Sequence, residues 1–172
     1  MSPWQLARPD FAARTCAIVE ASGIEPSTLC LEITESAVLV DVEETVAKLR
    51  ELRPTGLRIA LDDFGTGYSS LALLKDLPLD AIKIDQAFVR RLDEGANQHL
   101  IRIMVAIGTE LGLDIVAEGI ETETERARLA ELGITRMQGY LFGRPMLEAE
   151  YLRWLAEHAP RAVPAGDVHV TV

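Results

Sequence analysis

Cysteine is scarce in this sequence, and no long apolar run is present. The two cysteines, Cys16 and Cys30, lack the spacing of a metal-ligand pair, and two in 172 residues are too few for a disulfide scaffold. We expect both to be small buried side chains in a reducing cytosol. No signal peptide is visible, and no apolar run is long enough to span a membrane. The sequence therefore predicts a cytoplasmic protein with no membrane segment in this chain.

Basic residues are also few. Lysine and arginine together number 17, against 27 aspartate and glutamate residues, which leaves a net charge of −10. This charge argues against a nucleic-acid polymer or an anionic membrane as the main partner, because both would be repelled. If the ligand is itself an anion, metal ions must lie between it and the protein. The hydrophobic fraction of 48% over 172 residues is enough for the core of one domain.

The apolar residues are grouped into short runs, each followed by a segment with helical spacing. The runs lie at 29–33, 57–61, 81–84, 113–117 and 136–140, and the helical segments at 43–52, 70–77, 97–111, 123–132 and 148–158. Gly112 and Gly133 have the positions of C-terminal helix stops, and Thr122 with Glu125 forms the pattern of a capping box. An opening helix is predicted over 9–22, and residues 159–172 are predicted to be a flexible tail.

The repeated strand–helix units predict an α/β fold. Nearly continuous apolar strands indicate a parallel sheet covered by helices. Both a doubly wound sheet and a barrel meet this description. No glycine-rich dinucleotide fingerprint follows the first strand, and Gly65 with Gly67 alone is weak support for one.

Charged and amide side chains recur at or just beyond the end of every predicted strand. In chain order they are Glu32 and Glu35, Asp62 and Asp63, Lys83 and Asp85, Glu118 and Glu121, and Gln138. In a parallel barrel the carboxyl ends of the strands converge on one face, where active sites of this architecture lie. Clustered carboxylates repel one another unless cations neutralise them, and Mg²⁺ and Mn²⁺ prefer oxygen ligands. The pattern predicts a divalent-metal site, and two ions sharing a carboxylate would suit in-line displacement at phosphorus.

The adjacent Asp62 and Asp63 are predicted to hold metal. Neighbouring strand residues point to opposite faces, so both carboxylates reach one site only where the strand has ended and the chain turns. We expect the Phe-Gly-Thr-Gly segment that follows them to supply that turn.

Each of these residues also has an ordinary structural interpretation. An Asp-Asp pair at a strand end is commonly a helix cap or a turn former, and Lys83 between two isoleucines could be an edge-strand lysine. Glu121 could cap the next helix, and Glu35 could be an N-terminal anchor rather than a ligand. The repetition of such groups in all five units favours one shared site.

Five segments of the sequence, in order, closely resemble the EAL-domain family of cyclic di-GMP phosphodiesterases. They are LEITES, LDDFGTGYSSL, LPLDAIKID, IVAEGIET and QGYLFGRP, and the similarity runs from about Ser2 to Pro145. The resemblance implies a TIM-like barrel with one reversed strand. It also implies hydrolysis of cyclic di-GMP to linear pGpG with two Mg²⁺ or Mn²⁺ ions, and a homodimer of the complete domain.

The resemblance implies a role for each matching residue. Glu32 is similar to a ligand of the first metal, Asp62 to the carboxylate shared by both metals, and Asp63 to a ligand of the second. Lys83 resembles the lysine that orients the attacking water or contacts phosphate. Glu118 resembles the acidic residue that acts as general base or metal ligand.

The other matches are supporting positions. Glu121 and Gln138 correspond to groups near the second metal and its waters. Glu35 corresponds to the glutamate that steadies the Asp-Asp-Phe-Gly loop. In the family that loop couples substrate, metals and dimer contacts, and here it comprises Phe64, Gly65, Thr66, Gly67, Tyr68 and Ser69.

The sequence departs from the family pattern on its N-terminal side. The Glu-x-Leu motif that names the family, and an asparagine ligand in an Asn-x-Ser pattern, belong to earlier strands that would precede Met1. We expect residues 1–158 to be a partial EAL domain of about five strand–helix units and an N-terminal helix, without the strands that close the barrel. Two ligands of the first metal would be missing with those strands, so we expect the chain alone to be inactive.

Three functions remain open at this point. The chain could be part of an active phosphodiesterase, a catalytically inactive module that binds cyclic di-GMP or a protein partner, or a truncated product with no activity of its own. A different metal-dependent barrel hydrolase or lyase is disfavoured by the Gly-Thr-Gly-Tyr-Ser-Ser loop.

The helical segment 97–111 is apolar over more than one face. It is either buried on the barrel wall or also a dimer contact, and the resemblance favours the dimer contact. The apolar residues concerned are Leu100, Ile101, Ile103, Met104, Val105 and Ile107.

Overall fold

A computed structural model describes residues 1–67 and 71–158 of the chain. The predicted tail, 159–172, lies outside the described residues, and so do Tyr68 and Ser69 of the predicted loop. Over the described ranges, strands alternate with helices as the sequence predicts.

The described residues form one parallel sheet whose strands are arranged in chain order. The strands are β1 (Cys30–Thr34), β2 (Arg58–Phe64), β3 (Ala81–Ile84), β4 (Asp114–Ala117) and β5 (Arg136–Met137). Each strand pairs in parallel with the next one along the chain. A doubly wound sheet reverses its strand order at a switch point, whereas a barrel adds its strands in one direction. The sequential order therefore favours the barrel type, and β1 and β5 are the edges of the described sheet.

Helices connect the strands and cover the sheet. In chain order they are α1 (Pro3–Leu6), α2 (Phe11–Ser22), α3 (Glu35–Val38), α4 (Val42–Leu52), α5 (Leu71–Asp76), α6 (Gln86–Val89), α7 (Gly95–Glu110), α8 (Glu123–Glu131) and α9 (Glu148–His158). The predicted opening helix is present as α2. The short α1 before it was not predicted; Pro3 occupies its first turn, and the Gln5 side chain accepts a hydrogen bond from the Ser2 backbone N–H at 3.0 Å.

The predicted helix-end signals are confirmed. The Thr122 hydroxyl accepts a hydrogen bond from the Glu125 N–H at 3.2 Å, and the Glu125 carboxylate accepts one from the Thr122 N–H at 2.9 Å. Gly112 and Gly133 follow α7 and α8 with φ angles of 68° and 91°. These left-handed angles disfavour any residue with a Cβ, which is why glycine ends the two helices.

The apolar side chains of strands and helices form one continuous core. The strand residues that are fully buried in it are Ile33, Ile59, Leu61, Ile82 and Ile84, and their fully buried helical neighbours include Leu49, Leu52, Ile101 and Leu129. Full burial of each such side chain stabilises the fold by about 1.5–3 kcal/mol. This packing fixes the register of the strands, so their carboxyl ends lie side by side.

Ion pairs join strands at their N-terminal ends, opposite the carboxyl ends. Asp114 of β4 contacts both Arg58 of β2 and Arg136 of β5. Asp80, just before β3, accepts hydrogen bonds from Arg53 at 2.7 Å and from the Ile59 N–H at 2.8 Å. These contacts connect neighbouring strands and pair Asp80 and Asp114 with arginines at the N-terminal ends of the strands.

Two expectations from composition can be compared with the structure. Cys16 is half-buried and Cys30 is exposed, so the prediction of two buried cysteines is wrong. Cys30 begins the edge strand β1, which has a neighbouring strand on one side only within the described sheet. Among the helices of residues 1–67 and 71–158, none is long and apolar enough to cross a membrane.

Candidate metal centre

Lys83 lies at the middle of the candidate site. It belongs to β3, the central strand of the described sheet, and only 5% of its surface is exposed. Its ammonium nitrogen lies 2.7 Å from Glu32 Oε1, 3.3 Å from Asp62 Oδ1 and 2.5 Å from Glu118 Oε1. These carboxylates come from β1, from β2 and from the residue after β4. The alternative of an edge-strand lysine is therefore wrong.

The charges around Lys83 shift its pKa and that of its neighbours. Burial alone would lower the pKa of Lys83, but its hydrogen bonds to Glu118 and Glu32 and the charge of Asp62 outweigh burial and raise it. Burial also raises the pKa of Glu118, against the opposing effect of the Lys83 ammonium. Lys83 therefore stays protonated at neutral pH, and one cation faces several carboxylates.

A bulge in β2 brings Asp62 and Asp63 to the same site. Leu61 pairs with Ile82 and Phe64 with Ile84, so three residue steps on β2 match two on β3. Asp63 lies within this bulge, in the left-handed region with φ of 57°, which is uncommon for a residue other than glycine.

The Phe-Gly-Thr-Gly segment turns the chain as predicted: the Thr66 N–H donates a hydrogen bond of 3.2 Å to the Asp63 carbonyl, and Gly65 has a φ of 93°. The expectation that the strand has ended before both carboxylates is wrong, because β2 continues to Phe64. An extra residue in one strand disturbs the two-residue alternation of side chains, so adjacent carboxylates can face one site without leaving the sheet.

Asp62, Asp63 and Glu118 form a possible ligand set for a cation. Each offers one carboxylate oxygen, and these oxygens lie within 4.8 Å of one another. Asp62 Oδ1 is buried and accepts no hydrogen bond from any described residue, because the Lys83 ammonium at 3.3 Å is at ion-pair distance but outside hydrogen-bond geometry. The Lys83 ammonium compensates part of the charge of this oxygen, and a bound cation would supply the partner that hydrogen bonding does not. Three hard oxygen ligands fit Mg²⁺ or Mn²⁺.

Repulsion within this set is visible in the pKa of Asp63. Burial raises this pKa, and the negative charges of Asp62 and Asp85 raise it further. A bound divalent ion would reverse the effect of those charges, because all three carboxylates would then face a cation.

Glu32 lies beside this ligand set and is not part of it. Its carboxylate contacts Lys83, but its side chain is 43% exposed on the edge strand β1. The Met1 ammonium donates a hydrogen bond of 2.7 Å to its backbone carbonyl. The structure therefore places the predicted first-metal ligand next to the three converging carboxylates.

Glu35 is buried against the loop that follows β2. It is the first residue of α3, 2% exposed, and its Oε2 accepts a hydrogen bond of 3.3 Å from the Gly65 N–H. A Cβ at Gly67 would lie 2.6 Å from Glu35 Oε1, and one at Gly65 would lie 2.2 Å from Met104 Cε of α7. Gly65 also has a φ of 93°, which disfavours any residue with a Cβ, and a Cβ at Gly67 would displace the buried Glu35 carboxylate.

Phe64 and Thr66 complete the described part of this loop. Phe64 is buried in the core. Thr66 donates two hydrogen bonds to the Asp63 carbonyl, from its backbone N–H at 3.2 Å and from its hydroxyl at 2.9 Å. These bonds support the left-handed conformation of Asp63. Tyr68 and Ser69, predicted for the same loop, fall in the part of the chain that the structure does not describe.

A cleft of about 510 Å³ opens beside the carboxylates. Its walls include Asp63, Asp85, Arg90, Glu118, Glu121, Gln138 and Tyr140. The Glu121 side chain is 53% exposed and lies 3.9 Å from Arg90. The residue that caps α8 is Thr122, so the alternative of Glu121 as a helix cap is wrong. The predicted supporting residues Glu121 and Gln138 thus share one cleft with Asp63 and Glu118.

Three residues of this cleft were given no individual role from the sequence. Asp85 was noted at the end of its strand, but its carboxylate also caps α6 by accepting a hydrogen bond of 2.8 Å from the Ala87 N–H. Arg90 follows α6, where an arginine carries no distinctive signal. Tyr140 stands in the Gln-Gly-Tyr segment after β5, and its position next to predicted Gln138 was the available clue.

Comparison with known families agrees with this geometry. The EAL domain model matches residues 1–145, which include every carboxylate described above. Solved EAL domains have the TIM-like barrel, to which the sequential parallel sheet of this chain corresponds. The chain belongs to the EAL-domain family.

Individual relatives agree with this assignment. The cyclic di-GMP phosphodiesterase PdeR of Escherichia coli is 36% identical over 163 residues, which are 94% of this chain and 25% of PdeR. The chain spans about a fifth to a quarter of the curated relatives it matches.

Two solved structures extend the comparison to ligand complexes. The PaMucR phosphodiesterase in complex with c-di-GMP has a TM-score of 0.84 and 39% identity, over 88% of this chain and 62% of that one. Klebsiella pneumoniae BlrP1 with manganese and c-di-GMP has a TM-score of 0.75 and 36% identity, over 82% of this chain and 36% of that one.

Proposed function

We propose that this chain forms the metal-binding part of a cyclic di-GMP phosphodiesterase domain, which converts cyclic di-GMP to linear pGpG. The observation that carries the proposal is the convergence of Asp62, Asp63 and Glu118, each with one carboxylate oxygen within 4.8 Å of the others. Asp62 Oδ1 is in addition buried without a hydrogen-bond donor among the described residues. The similarity to PdeR and to PaMucR in complex with c-di-GMP supports this substrate. An inactive binding module is disfavoured, because Lys83 and the matched carboxylates are present and adjacent.

The cofactor we propose is Mg²⁺ or Mn²⁺. Asp62, Asp63 and Glu118 would hold one ion, and Glu32 would contribute to a second ion in a complete domain. Such ions polarise the phosphoryl oxygen and lower the pKa of bound water. The similarity to BlrP1 with manganese and c-di-GMP supports this choice. The net charge of −10 gives a further reason, since an anionic dinucleotide needs cations between it and this surface.

The protein groups then have distinct tasks. The Glu118 carboxylate lies at the ion site, where it can accept the proton of the attacking water. The Lys83 ammonium, fixed by three carboxylates, can stabilise negative charge on the phosphoryl oxygens. Glu121 and Gln138 line the cleft where waters and substrate enter. Glu35 is a positioning residue that acts on Asp63 through the loop after β2.

Replacing Glu118 with glutamine tests the proposed base. The test needs the complemented domain, meaning this chain joined to an EAL N-terminal segment that carries the Glu-x-Leu and Asn-x-Ser strands. Glutamine keeps the shape of the side chain but neither accepts the proton nor carries charge, so turnover should fall by at least about a hundredfold. The melting temperature should change little, because burial makes the charged form of Glu118 unfavourable in the folded state.

The matched control is Glu123→Gln. Glu123 lies on α8 with a side chain 69% exposed, paired with Arg126. It should leave both turnover and melting temperature unchanged. A Glu118→Gln enzyme that releases pGpG at the parental rate would remove Glu118 from the mechanism.

We further propose that α7 forms a homodimer contact. Leu100, Ile103 and Leu111 are 46%, 55% and 37% exposed, and they lie on one stripe of the helix with the half-buried Ile107. An adjacent face of α7 is buried in the core through residues such as Ile101 and Met104. Burial on the barrel wall and the proposed dimer contact therefore involve different faces of the same helix.

Light scattering on the complemented domain tests the dimer. Ile103→Asp should convert a dimer to a monomer, because it places a charge in an apolar contact. The control Ile18→Asp changes a residue on α2 that is 64% exposed and should leave the mass unchanged. A wild-type monomer, or a dimer that survives Ile103→Asp, would contradict this contact.

A further inference from the structure

Arg90 is the one basic residue among the described residues that line the carboxylate cleft. Lys83 is not part of this lining, because it is 5% exposed and held by three carboxylates. The other charged groups of the lining are acidic and belong to Asp63, Asp85, Glu118 and Glu121. A ligand in this cleft of about 510 Å³ therefore meets a single guanidinium in acidic surroundings.

The position of Arg90 is fixed by α6. The Asp85 carboxylate caps this helix, and the Arg90 N–H donates a hydrogen bond of 2.9 Å to the Gln86 carbonyl, one turn earlier. Residues four apart are neighbours on one face of a helix, so Arg90 lies on the face of Gln86, which also lines the cleft. A Cβ at Gly119 would lie 2.4 Å from Gln86 Cβ. The start of α6 therefore packs directly against the segment that carries Glu118.

The Arg90 guanidinium is only loosely paired. Among the described residues its ion-pair partner is Glu121, at 3.9 Å, and the two side chains are 63% and 53% exposed. This distance is too long for a hydrogen bond, and an exposed ion pair contributes little to stability. The neighbouring Arg91 differs, because it forms an ion pair of 2.7 Å with Glu94. The hydrogen-bond donors of Arg90 are therefore available to an anion in the cleft.

A cyclic dinucleotide brings two negative charges to this cleft. Its ring contains two phosphodiesters, and only the one being hydrolysed can lie at the ligand set of Asp62, Asp63 and Glu118. The acidic lining would repel the other phosphate unless a cation compensates it. An arginine suits this task, since its planar fork donates two parallel hydrogen bonds to a phosphate.

We propose that Arg90 binds the phosphate that is not hydrolysed and thereby favours substrates with two phosphodiesters over those with one. The inference rests on the proposed function in one respect, because that function supplies the cyclic dinucleotide. A contact with a non-reacting phosphate contributes equally to the binding of substrate and of transition state. Its loss therefore raises KM and leaves kcat nearly unchanged.

Hydrolysis of two substrates by the complemented domain with Mn²⁺ tests the role of Arg90. Cyclic di-GMP has two phosphodiesters, whereas bis(p-nitrophenyl) phosphate has one. Arg90→Ala should raise KM for cyclic di-GMP roughly tenfold, the effect of losing a hydrogen bond to a charged group at an exposed site. KM for bis(p-nitrophenyl) phosphate should change much less, because this diester has no second phosphate. Arg90→Lys keeps the charge without the fork, so it should recover part of the loss.

The matched control is Arg91→Ala. Arg91 is the next residue, its side chain is 64% exposed, and it does not line the cleft. The substitution should leave KM and kcat unchanged with both substrates. An unchanged KM for cyclic di-GMP in Arg90→Ala would overturn the proposed contact. An equal loss with both substrates would also overturn it, since that result indicates a general disturbance of the site.

Equilibrium dialysis of cyclic di-GMP separates this inference from the proposed function, because it requires no turnover. A folded complemented domain that does not hydrolyse cyclic di-GMP, yet binds it more weakly after Arg90→Ala, would contradict the proposed function and support the phosphate contact. Equal retention of cyclic di-GMP by the parent and by Arg90→Ala would overturn the contact, whether or not the domain hydrolyses its substrate.

Discussion

Asp62→Ala should abolish hydrolysis of cyclic di-GMP by the complemented domain and remove most of its divalent-ion binding. Asp62 supplies the buried oxygen that has no hydrogen-bond donor among the described residues, and it lies within 4.8 Å of the oxygens of Asp63 and Glu118. Loss of even a supporting partner of a metal ligand commonly reduces affinity or activity by about 10–100-fold, so loss of a ligand should exceed that range. Chromatography of pGpG and a Mn²⁺ binding titration measure the two effects.

The matched control for this substitution is Asp93→Ala. The Asp93 side chain is 87% exposed and pairs with Arg128, and it belongs neither to the ligand set nor to the lining of the cleft. It should leave Mn²⁺ binding and turnover unchanged. Near-parental hydrolysis by Asp62→Ala would show that the metal centre is assigned to the wrong residues.

Lys83→Met should destabilise the metal-free chain strongly. The substitution removes the only ammonium that contacts Glu32, Asp62 and Glu118 among the described residues. Breaking a buried pair from one side costs about 3–5 kcal/mol, because it leaves charge uncompensated. For a protein of this size that cost corresponds to a fall in melting temperature of roughly 10 °C. Added Mn²⁺ should restore part of this loss, since a cation between the carboxylates replaces the missing charge.

Lys48→Met is the control that separates the loss of any buried lysine from the loss of the lysine at the metal site. Lys48 is 7% exposed, donates a hydrogen bond of 2.7 Å to the Leu6 carbonyl and pairs with Glu44 at 2.7 Å. Its single carboxylate partner has a side chain 49% exposed, so water can solvate that charge after the substitution. Lys48→Met should therefore cost less, and Mn²⁺ should not restore it. Equal Mn²⁺ rescue of both variants would show that Lys83 is not linked to a metal site.

Much of this site could be predicted because it follows from a rule about parallel sheets. Carboxyl ends of neighbouring parallel strands meet at one edge, so polar residues at the ends of apolar runs must lie close together. This reasoning predicted that Asp62, Lys83 and Glu118 lie in one site, and in the structure Lys83 contacts both carboxylates. Helix ends were equally accessible, because a capping box such as Thr122 with Glu125 is a local interaction.

The bulge in β2 could not be read from the sequence. It depends on the pairing of Phe64 with Ile84, which are far apart along the chain, and it places a non-glycine residue, Asp63, at a φ of 57°. Alternation alone predicts that Asp62 and Asp63 point apart. Arg90 was missed for a similar reason. Its relevance arises from the cleft it lines, and that cleft is formed by segments that are distant in the sequence.

The decisive measurement is the formation of pGpG from cyclic di-GMP by this chain with and without the N-terminal EAL segment. The described sheet has β1 and β5 as open edges, and within residues 1–67 and 71–158 the converging set is three carboxylates within 4.8 Å. A misplacement of about 1 Å can cost on the order of a hundredfold in rate, so a metal pair without a closed barrel should not support turnover. With Mg²⁺ or Mn²⁺, we predict no pGpG from the 172-residue chain alone. We predict a chromatographic pGpG peak once the segment is supplied, in cis or as a separate fragment. Robust turnover by the chain alone, or none by a folded complemented domain, would contradict the proposed site.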